Sequence, residues 1–193
     1  MNHIRPDSRL AQAIIETPSL IPVINRLGLD LGVGDSTVDA TCAVHGIDPD
    51  LFIAVVNTYL SDSFDPAPLL ANVKPSVFDS YAKATDSYYY HRCLPNIERH
   101  LHALLGASDP GSSLEMMSRL FSELKKLLSA RVEEGSARCP DTAVIDMLSD
   151  LRNLMIVHLR GRFDRNLIYA VVVAIVSLEN DMRRNLRIMR ARQ

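Results

Sequence analysis

The sequence has few of the features that mark secreted, membrane-spanning or zinc-binding proteins. It contains only three cysteines, Cys42, Cys93 and Cys139, which are far apart and odd in number. Such a set forms neither a disulfide framework nor a CxxC zinc site, and it favours a reducing compartment. The N-terminal segment MNHIRPDSRLAQ holds no apolar stretch of the length that a signal peptide needs. These absences predict a cytoplasmic protein.

Long apolar runs and a strong net charge are also absent. The longest apolar run, LIYAVVVAIVSL at 167–178, is well short of the roughly 20 residues that cross a bilayer, so it predicts a buried helix. The net charge of −2 gives the protein no general attraction to nucleic acid or membranes. With 47% hydrophobic and 23% charged residues, the composition is that of a packed globular protein with room for one medium or two small domains.

Motifs for catalysis are missing as well. The glycine-containing stretch LGVGD at 31–35 does not fit the GxGxxG pattern that cradles a dinucleotide phosphate. Neither a catalytic triad nor a pair of catalytic carboxylates can be identified. The sequence therefore predicts that the protein is not an enzyme.

Helical periodicity dominates what is present. Short helices are predicted over 8–16, 18–27, 36–45 and 49–60, and longer ones over 76–105, 113–134, 140–160 and 165–191. Ser36 or Thr37 can cap the third short helix, and Asp48 followed by Pro49 can start the fourth. A second loop is expected over 106–113, where GASDPGSS separates two helices. No strand pattern is convincing, so the fold class is all-α.

Breaking residues divide this helical chain into two parts. The stretch SDSFDPAPLLANVKPS at 61–76 contains three prolines and several turn formers. The prediction is a small helical domain at 1–62, a linker at 63–75 and an up-down four-helix bundle at 76–193.

The segment STVDATCAVHGIDPDLFIAVVN at 36–57 has the outline of a helix-turn-helix, with a glycine between two helices. A DNA-reading second helix needs polar and basic residues. Here the second helix contains DLFIAVV and no Lys or Arg, which favours burial over DNA binding.

The helix containing SYYYHRCLPNIERHLHALL is rich in tyrosine and histidine and raises the possibility of a metal site. Helical geometry predicts a core-facing stripe of Asp86, Tyr90, Cys93, Ile97, His100, Leu101 and Leu104. His91 and His102 fall on the opposite, solvated side with Arg92 and Arg99. Pro95 predicts a kink near 90–94. The three later helices contain only one histidine, His158, and no HxxxE, ExxH or HxxxD motif, so inward-facing metal ligands are lacking.

The C-terminal stretch RRNLRIMRARQ contains five arginines and no acid: Arg183, Arg184, Arg187, Arg190 and Arg192. One interpretation is an anionic partner, such as nucleic acid or an acidic protein. The other is an ordinary helix end, where cations suit the helix dipole.

Two parts of the chain together resemble the hemerythrin-like RIC (repair of iron centres) family, in particular its Bacteroides-type variants. Residues 19–60, with NRLGLDLGVGDSTVDATCAVHGIDPD, resemble the family's small N-terminal domain. Residues 76–193 resemble its bundle through SYYYHRCLPNIERHLH, MLSDLRNLMIVHL and SLENDMRRNLRI. The resemblance implies a di-iron bundle that acts in iron–sulfur cluster repair or in the response to nitric oxide and oxygen.

The resemblance also implies where the iron ligands should lie. The six positions hold Asp86, Arg131, Gly135, Asp141, Asn185 and Met189 in this chain. The family's paired N-terminal cysteines correspond to Gly32 and Val33, whereas Cys42 matches a family cysteine. Asp86 and Asp141 can bind a hard cation, but the other four residues cannot complete an iron site. An arginine at such a site would repel a cation.

Three hypotheses follow from these observations. The first is a metal-free, cofactor-free and non-catalytic hemerythrin-like protein that regulates or binds a partner protein or a small ligand. The second is a di-iron RIC-type protein with unusual ligands drawn from Asp86, His100, Glu133 and Asp141. The third is a transcription regulator that binds DNA through the basic C-terminal helix.

Overall fold

The computed structural model describes residues 3–107, 112–134, 141–159 and 163–192. Every regular element in these ranges is helical, and an isolated β-bridge joins Arg9 and Thr37. The predicted all-α class is therefore confirmed for the described part of the chain. No helix in that part is both long enough and apolar enough to cross a membrane.

The N-terminal helices are short. They are α1 (Leu10–Glu16), a 3-10 turn (Pro18–Leu20), α2 (Ile21–Arg26), α3 (Val38–His45), α4 (Pro49–Leu60) and α5 (Ala67–Leu70). The later helices are longer. They are α6 (Pro75–Tyr88), a π-helical turn (Tyr89–Cys93), α7 (Leu94–Gly106), α8 (Ser112–Glu134), α9 (Asp141–Asn153), a second π-helical turn (Leu154–His158) and α10 (Arg165–Ala191). Of the loop predicted over 106–113, residues 108–111 lie outside the described residues, Gly106 is the last residue of α7 and Ser112 is the first residue of α8.

Local signals set the ends of α3 and α4. The Thr37 side chain accepts a hydrogen bond from the Ala40 backbone amide, and the Asp48 side chain accepts one from Leu51. Gly46 ends α3 with a φ of 65°, a left-handed conformation that glycine adopts without strain. Both predicted caps are thus confirmed.

Helix α4 is the centre of the N-terminal core. Its residues from Leu51 to Tyr59 are all buried, and Phe52, Val55 and Val56 are fully so. Helices α2, α3 and α5 pack against it. A helix this deeply buried has no face to present to a DNA groove, as the absence of basic residues predicted.

The chain separates into two compact units, Met1–Ala84 with Arg184–Gln193 and Thr85–Arg183. These bounds differ from the predicted domains at 1–62 and 76–193. The stretch predicted as a linker is a packed part of unit 1, because Leu70 and Val73 are buried in the same core cluster as Leu10 and Phe52. Proline content was a poor guide here, since Pro66 lies at the N-terminus of α5, where proline is tolerated.

The core-facing stripe predicted for residues 86–104 was partly wrong. These residues belong to unit 2, which begins near the end of α6. The π-helical turn at Tyr89–Cys93 precedes Pro95, close to the predicted kink. Tyr89 is buried because it follows the buried Thr85 by one four-residue helical step, whereas Tyr90 is only half-buried. The π-helical turn shifts the residues after this point, and the next buried residue, Leu94, comes five residues after Tyr89. His91, Arg92, Arg99 and His102 are exposed, as predicted.

The apolar run 167–178 is also only partly as predicted. Val171, Ile175 and Leu178 are buried in α10, but Tyr169 is 72% exposed and Val173 is 43% exposed. The run therefore forms a helix with one buried side, not a fully buried helix.

Candidate functional site

The most unusual group in unit 2 is a buried arginine between two carboxylates. The Arg131 side chain, near the end of α8, is 1% exposed. Its Nη1 donates to Asp141 Oδ1 at 2.5 Å, and its Nη2 donates to Asp86 Oδ1 at 2.5 Å. Its Nε donates to the same Asp86 oxygen at 3.0 Å. Asp86, Arg131 and Asp141, called the Arg131 cluster below, therefore connect α6, α8 and α9.

Helical spacing explains why Arg131 points inward. Leu124 and Leu128 are buried on α8, and Arg131 follows at the next step of that stripe. The arginine thus occupies a position that a hydrophobic residue would ordinarily take. Asp141 is the first residue of α9, where the helix dipole favours a negative charge.

The electrostatics keep the arginine charged. Burial opposes ionisation of Arg131, but Asp141 and Asp86 outweigh it and raise the pKa of the guanidinium above its usual value. Burial raises the pKa of the Asp86 carboxyl, with Arg131 lowering it and Asp141 raising it. The cluster contains one permanent cation and two carboxylates.

These residues do not fit an iron centre of the kind that the resemblance implies. A guanidinium has five N–H donors and no lone pair to give to a metal. Arg131 already occupies one oxygen, Oδ1, of each of the two carboxylates that can bind a hard cation. No group of three or more His, Cys, Asp or Glu residues with a metal-binding arrangement occurs in the described ranges.

Of the six predicted ligand positions, the structure brings three together: Asp86, Arg131 and Asp141. Gly135 lies outside the described residues. Asn185 and Met189 belong to unit 1, where Asn185 is buried and accepts a hydrogen bond from the Tyr81 hydroxyl at 2.9 Å. Met189 packs against the apolar core of that unit.

The other proposed ligands are not part of the Arg131 cluster. His100 is half-buried, and Glu133 is exposed and accepts a hydrogen bond from Ser129 at 2.8 Å.

A second buried ionic group was missed by the sequence analysis. Glu179 on α10 is 1% exposed and accepts hydrogen bonds from Arg152 at 2.5 Å and from Arg183 at 2.7 Å. The four-residue spacing of Glu179 and Arg183 in the sequence is typical of an ion pair on one side of a helix, so this contact was predictable. The contact with Arg152 on α9 could not be seen in the sequence.

The basic C-terminal run is largely used inside unit 1. Arg187 donates to the backbone oxygens of Thr58, Ser61 and Phe64, with the shortest distance 2.8 Å to Phe64. Thr58 lies in the last turn of α4, where backbone carbonyls lack hydrogen-bond partners within the helix. The Arg187 guanidinium supplies donors there, and its positive charge suits the helix C-terminus.

Arg192 has a similar role beside α5. It donates to the carbonyls of Leu70 at 2.6 Å and Val73 at 2.8 Å, and its guanidinium lies over the Phe78 ring. Arg184 lies over the Tyr59 ring, whereas Arg190 is exposed. These contacts favour the interpretation of the run as a helix end.

A cleft of about 420 Å³ in unit 1 is lined by the N-terminal segment, α1 and Leu60. Several of its polar groups are already paired. Gln12 donates to Glu16 at 2.6 Å, Ser8 accepts from the Arg5 amide at 2.8 Å, and Arg9 contacts Asp35 at 3.2 Å. Among the described residues that line the cleft, no buried side-chain nitrogen or oxygen lacks a hydrogen-bond partner, so none is left to bind a ligand.

Comparison of the chain with models of protein families, with curated proteins and with solved structures finds no match.

Proposed function

We propose that this chain is a metal-free, non-catalytic bundle protein of hemerythrin type that serves a regulatory or protein-interaction role. The observation that carries the proposal is Arg131, whose buried guanidinium donates to Asp86 and Asp141. These three residues occupy positions at which the resemblance implies iron ligands. A protonated arginine supplies the positive charge that a metal would otherwise provide.

The geometry gives this interpretation a physical basis. A divalent cation would have to displace a guanidinium that donates three hydrogen bonds to Asp86 and Asp141 and is attracted by their two opposite charges. It would then separate the buried arginine from both carboxylates, which is costly. A bundle without a metal still needs a connection between α6, α8 and α9. The hydrogen bonds of the Arg131 cluster provide it.

The di-iron alternative is less well supported, because two of its four candidate ligands, Asp86 and Asp141, are bonded to Arg131. The DNA-binding alternative is also weakened. Arg187 and Arg192 donate to backbone carbonyls of unit 1, so they are not available to phosphates without loss of those contacts.

Metal analysis of the full-length protein tests the proposal. The wild type is produced with added iron, manganese and zinc, purified under anaerobic conditions and compared with the double variant Asp86→Asn, Asp141→Asn. We expect less than about 0.1 metal ion per chain in both proteins. Near-stoichiometric metal in the wild type that is lost in the double variant would contradict the proposal.

DNA retention is measured on the same samples. We expect none at low salt, whereas retention that falls steeply as salt rises would favour the transcription regulator.

A further inference from the structure

The second buried ionic group of unit 2 has more positive than negative charge. Glu179 is 1% exposed and forms ion pairs with Arg152 on α9 and with Arg183 on α10. These three residues are called the Glu179 cluster below. Two guanidiniums and one carboxylate leave one positive charge that no other described carboxylate pairs with. An excess positive charge at a folded site attracts an anion from solution.

The Arg131 cluster has the opposite stoichiometry, with one guanidinium and two carboxylates, but it is too distant to cancel this charge. Asp141 is the first residue of α9 and Arg152 is near its end, so they are about 16 Å apart along the helix axis. At that distance the attraction between two charges is several times weaker than in the ion pair of Arg152 with Glu179 at 2.5 Å.

The acids nearest in sequence to the two arginines also lie elsewhere. At about 100° per residue, Asp150 is about 160° around α9 from Arg152, and Asp181 is about 160° around α10 from Arg183. Asp146 is about 9 Å before Arg152 along the axis of α9. The excess positive charge therefore has no second carboxylate beside it on either of these described helices.

The carboxylate of the Glu179 cluster is buried, whereas its guanidiniums reach the surface. The Arg152 side chain is 29% exposed and the Arg183 side chain is 52% exposed. Glu179 Oε2 accepts from Arg152 Nη1 at 2.5 Å, and Glu179 Oε1 accepts from Arg183 Nη2 at 2.7 Å. Because both oxygens belong to one carboxylate, the two guanidiniums are held next to each other. Their side chains are already ordered, which lowers the entropic cost of binding a ligand.

The surroundings of the two arginines have hydrogen-bond donors left over. Arg152 Nε and Arg183 Nη1 donate to no described residue. Ser149 Oγ and Asn153 Oδ1 accept from Arg152 Nη2 at 2.9 Å and 3.5 Å, so the hydroxyl hydrogen and the amide nitrogen of these side chains remain able to donate. A group of adjoining donors around an excess positive charge suits an oxyanion.

We propose that the Glu179 cluster binds a phosphate group, as free phosphate or as a phosphate monoester, between Arg152 and Arg183. The planar fork of a guanidinium matches phosphate oxygens, and a phosphate group has enough oxygens to accept from both arginines at once. A carboxylate ligand has only two oxygens, and chloride cannot match a fork. Glu179 holds the two arginines in place.

None of the residues at this site belongs to the Arg131 cluster. The phosphate site can therefore be tested independently of the proposed function.

Isothermal titration calorimetry of the full chain with inorganic phosphate, at constant ionic strength set with sodium chloride, provides the first test. We expect saturable binding with a dissociation constant below about 1 mM. Arg183→Gln should raise the dissociation constant about tenfold or more, because it removes one of the two forks. Arg119→Gln is the matched control, because it removes an exposed arginine of the same unit. Absence of saturable binding up to about 10 mM phosphate, or equal weakening in both variants, overturns the site.

The same titration with glycerol 3-phosphate distinguishes the two forms of the ligand. Tighter binding of this monoester than of inorganic phosphate would assign the site to an ester. Equal or weaker binding would assign it to free phosphate.

Side-chain NMR locates the bound phosphate without any substitution. When inorganic phosphate is added to the full chain, the Nε–Hε signals of Arg152 and Arg183 should shift with one common saturation curve. The signal of Arg119 should not move. Shifts of all three arginines that rise in proportion to phosphate without saturation would indicate general ion binding and contradict the site.

Discussion

Arg131 donates both its Nε and its Nη2 to a single carboxylate oxygen of Asp86, at 3.0 Å and 2.5 Å. The remaining arm of the guanidinium reaches Asp141 at 2.5 Å. A single side chain thus joins three helices in the interior of unit 2. The stability of this unit should depend on the balance of charge at that point.

Removing the buried cation should be strongly destabilising. In Arg131→Met the carboxylates of Asp86 and Asp141 lose their partner while they remain buried. We expect the free energy of unfolding to fall by about 3–5 kcal/mol, measured by urea denaturation. Lys126→Ala, which removes an exposed ion pair on the same helix, should cause a much smaller change.

Replacing the whole cluster distinguishes a lost partner from lost packing. The triple variant Asp86→Leu, Arg131→Met, Asp141→Leu removes all three charges and should recover most of the stability that Arg131→Met loses. A triple variant that is less stable than the single variant would contradict an electrostatic origin of the effect.

The pH dependence of stability should show the titration of Asp86. Burial raises the pKa of this carboxyl above its ordinary value of 3.8, so the folded protein retains the proton at a higher pH than the unfolded chain. The stabilisation from this proton is fully present below pH 3.8 and is lost as pH rises through the raised folded pKa.

The measurement compares the free energy of unfolding of the wild type and Asp86→Asn between about pH 3 and about pH 7. We expect the wild type to lose stability relative to Asp86→Asn as pH rises. Asp146→Asn, at an exposed position of α9, controls for the loss of one carboxylate. A wild type that gains stability relative to Asp86→Asn as pH rises would show that the attraction of Arg131 for the Asp86 carboxylate outweighs burial.

The C-terminal arginines should matter for stability in proportion to their contacts. Arg187→Ala and Arg192→Ala leave backbone carbonyls of unit 1 without donors, and each should cost about 1–3 kcal/mol. Arg190→Ala, at an exposed position of the same helix, should leave the thermal midpoint nearly unchanged. Equal losses of stability in the three variants would mean that the net charge of the run, and not these hydrogen bonds, stabilises the folded protein.

Cys42 should be chemically inert in the folded protein. Burial, assisted by Asp39 and Asp48, raises the pKa of its thiol to about 11, so very little thiolate is present near neutral pH. We expect iodoacetamide to label Cys42 only in denaturant, and the half-buried Cys93 to be labelled faster, as followed by peptide mass spectrometry. Rapid labelling of native Cys42 would show that this part of the core opens readily.

The sequence by itself determined the helical class and several helix ends. Thr37 and Asp48 cap helices within three residues of their own positions, so no distant part of the chain is needed. The repeat of apolar residues similarly fixed which segments are helical, because it reflects the geometry of a single helix.

Only the tertiary structure decided which residues meet. Arg131 is 45 residues from Asp86 and 10 from Asp141, and Arg187 reaches carbonyls more than 120 residues earlier. Such pairs depend on how whole helices pack, and no local pattern encodes them. Tyr89 is in the core four residues after the buried Thr85, and the π-helical turn at Tyr89–Cys93 then places the next buried residue, Leu94, five residues later. The apolar run in α10 identified a helix correctly, but only packing could show that one of its sides remains exposed to solvent.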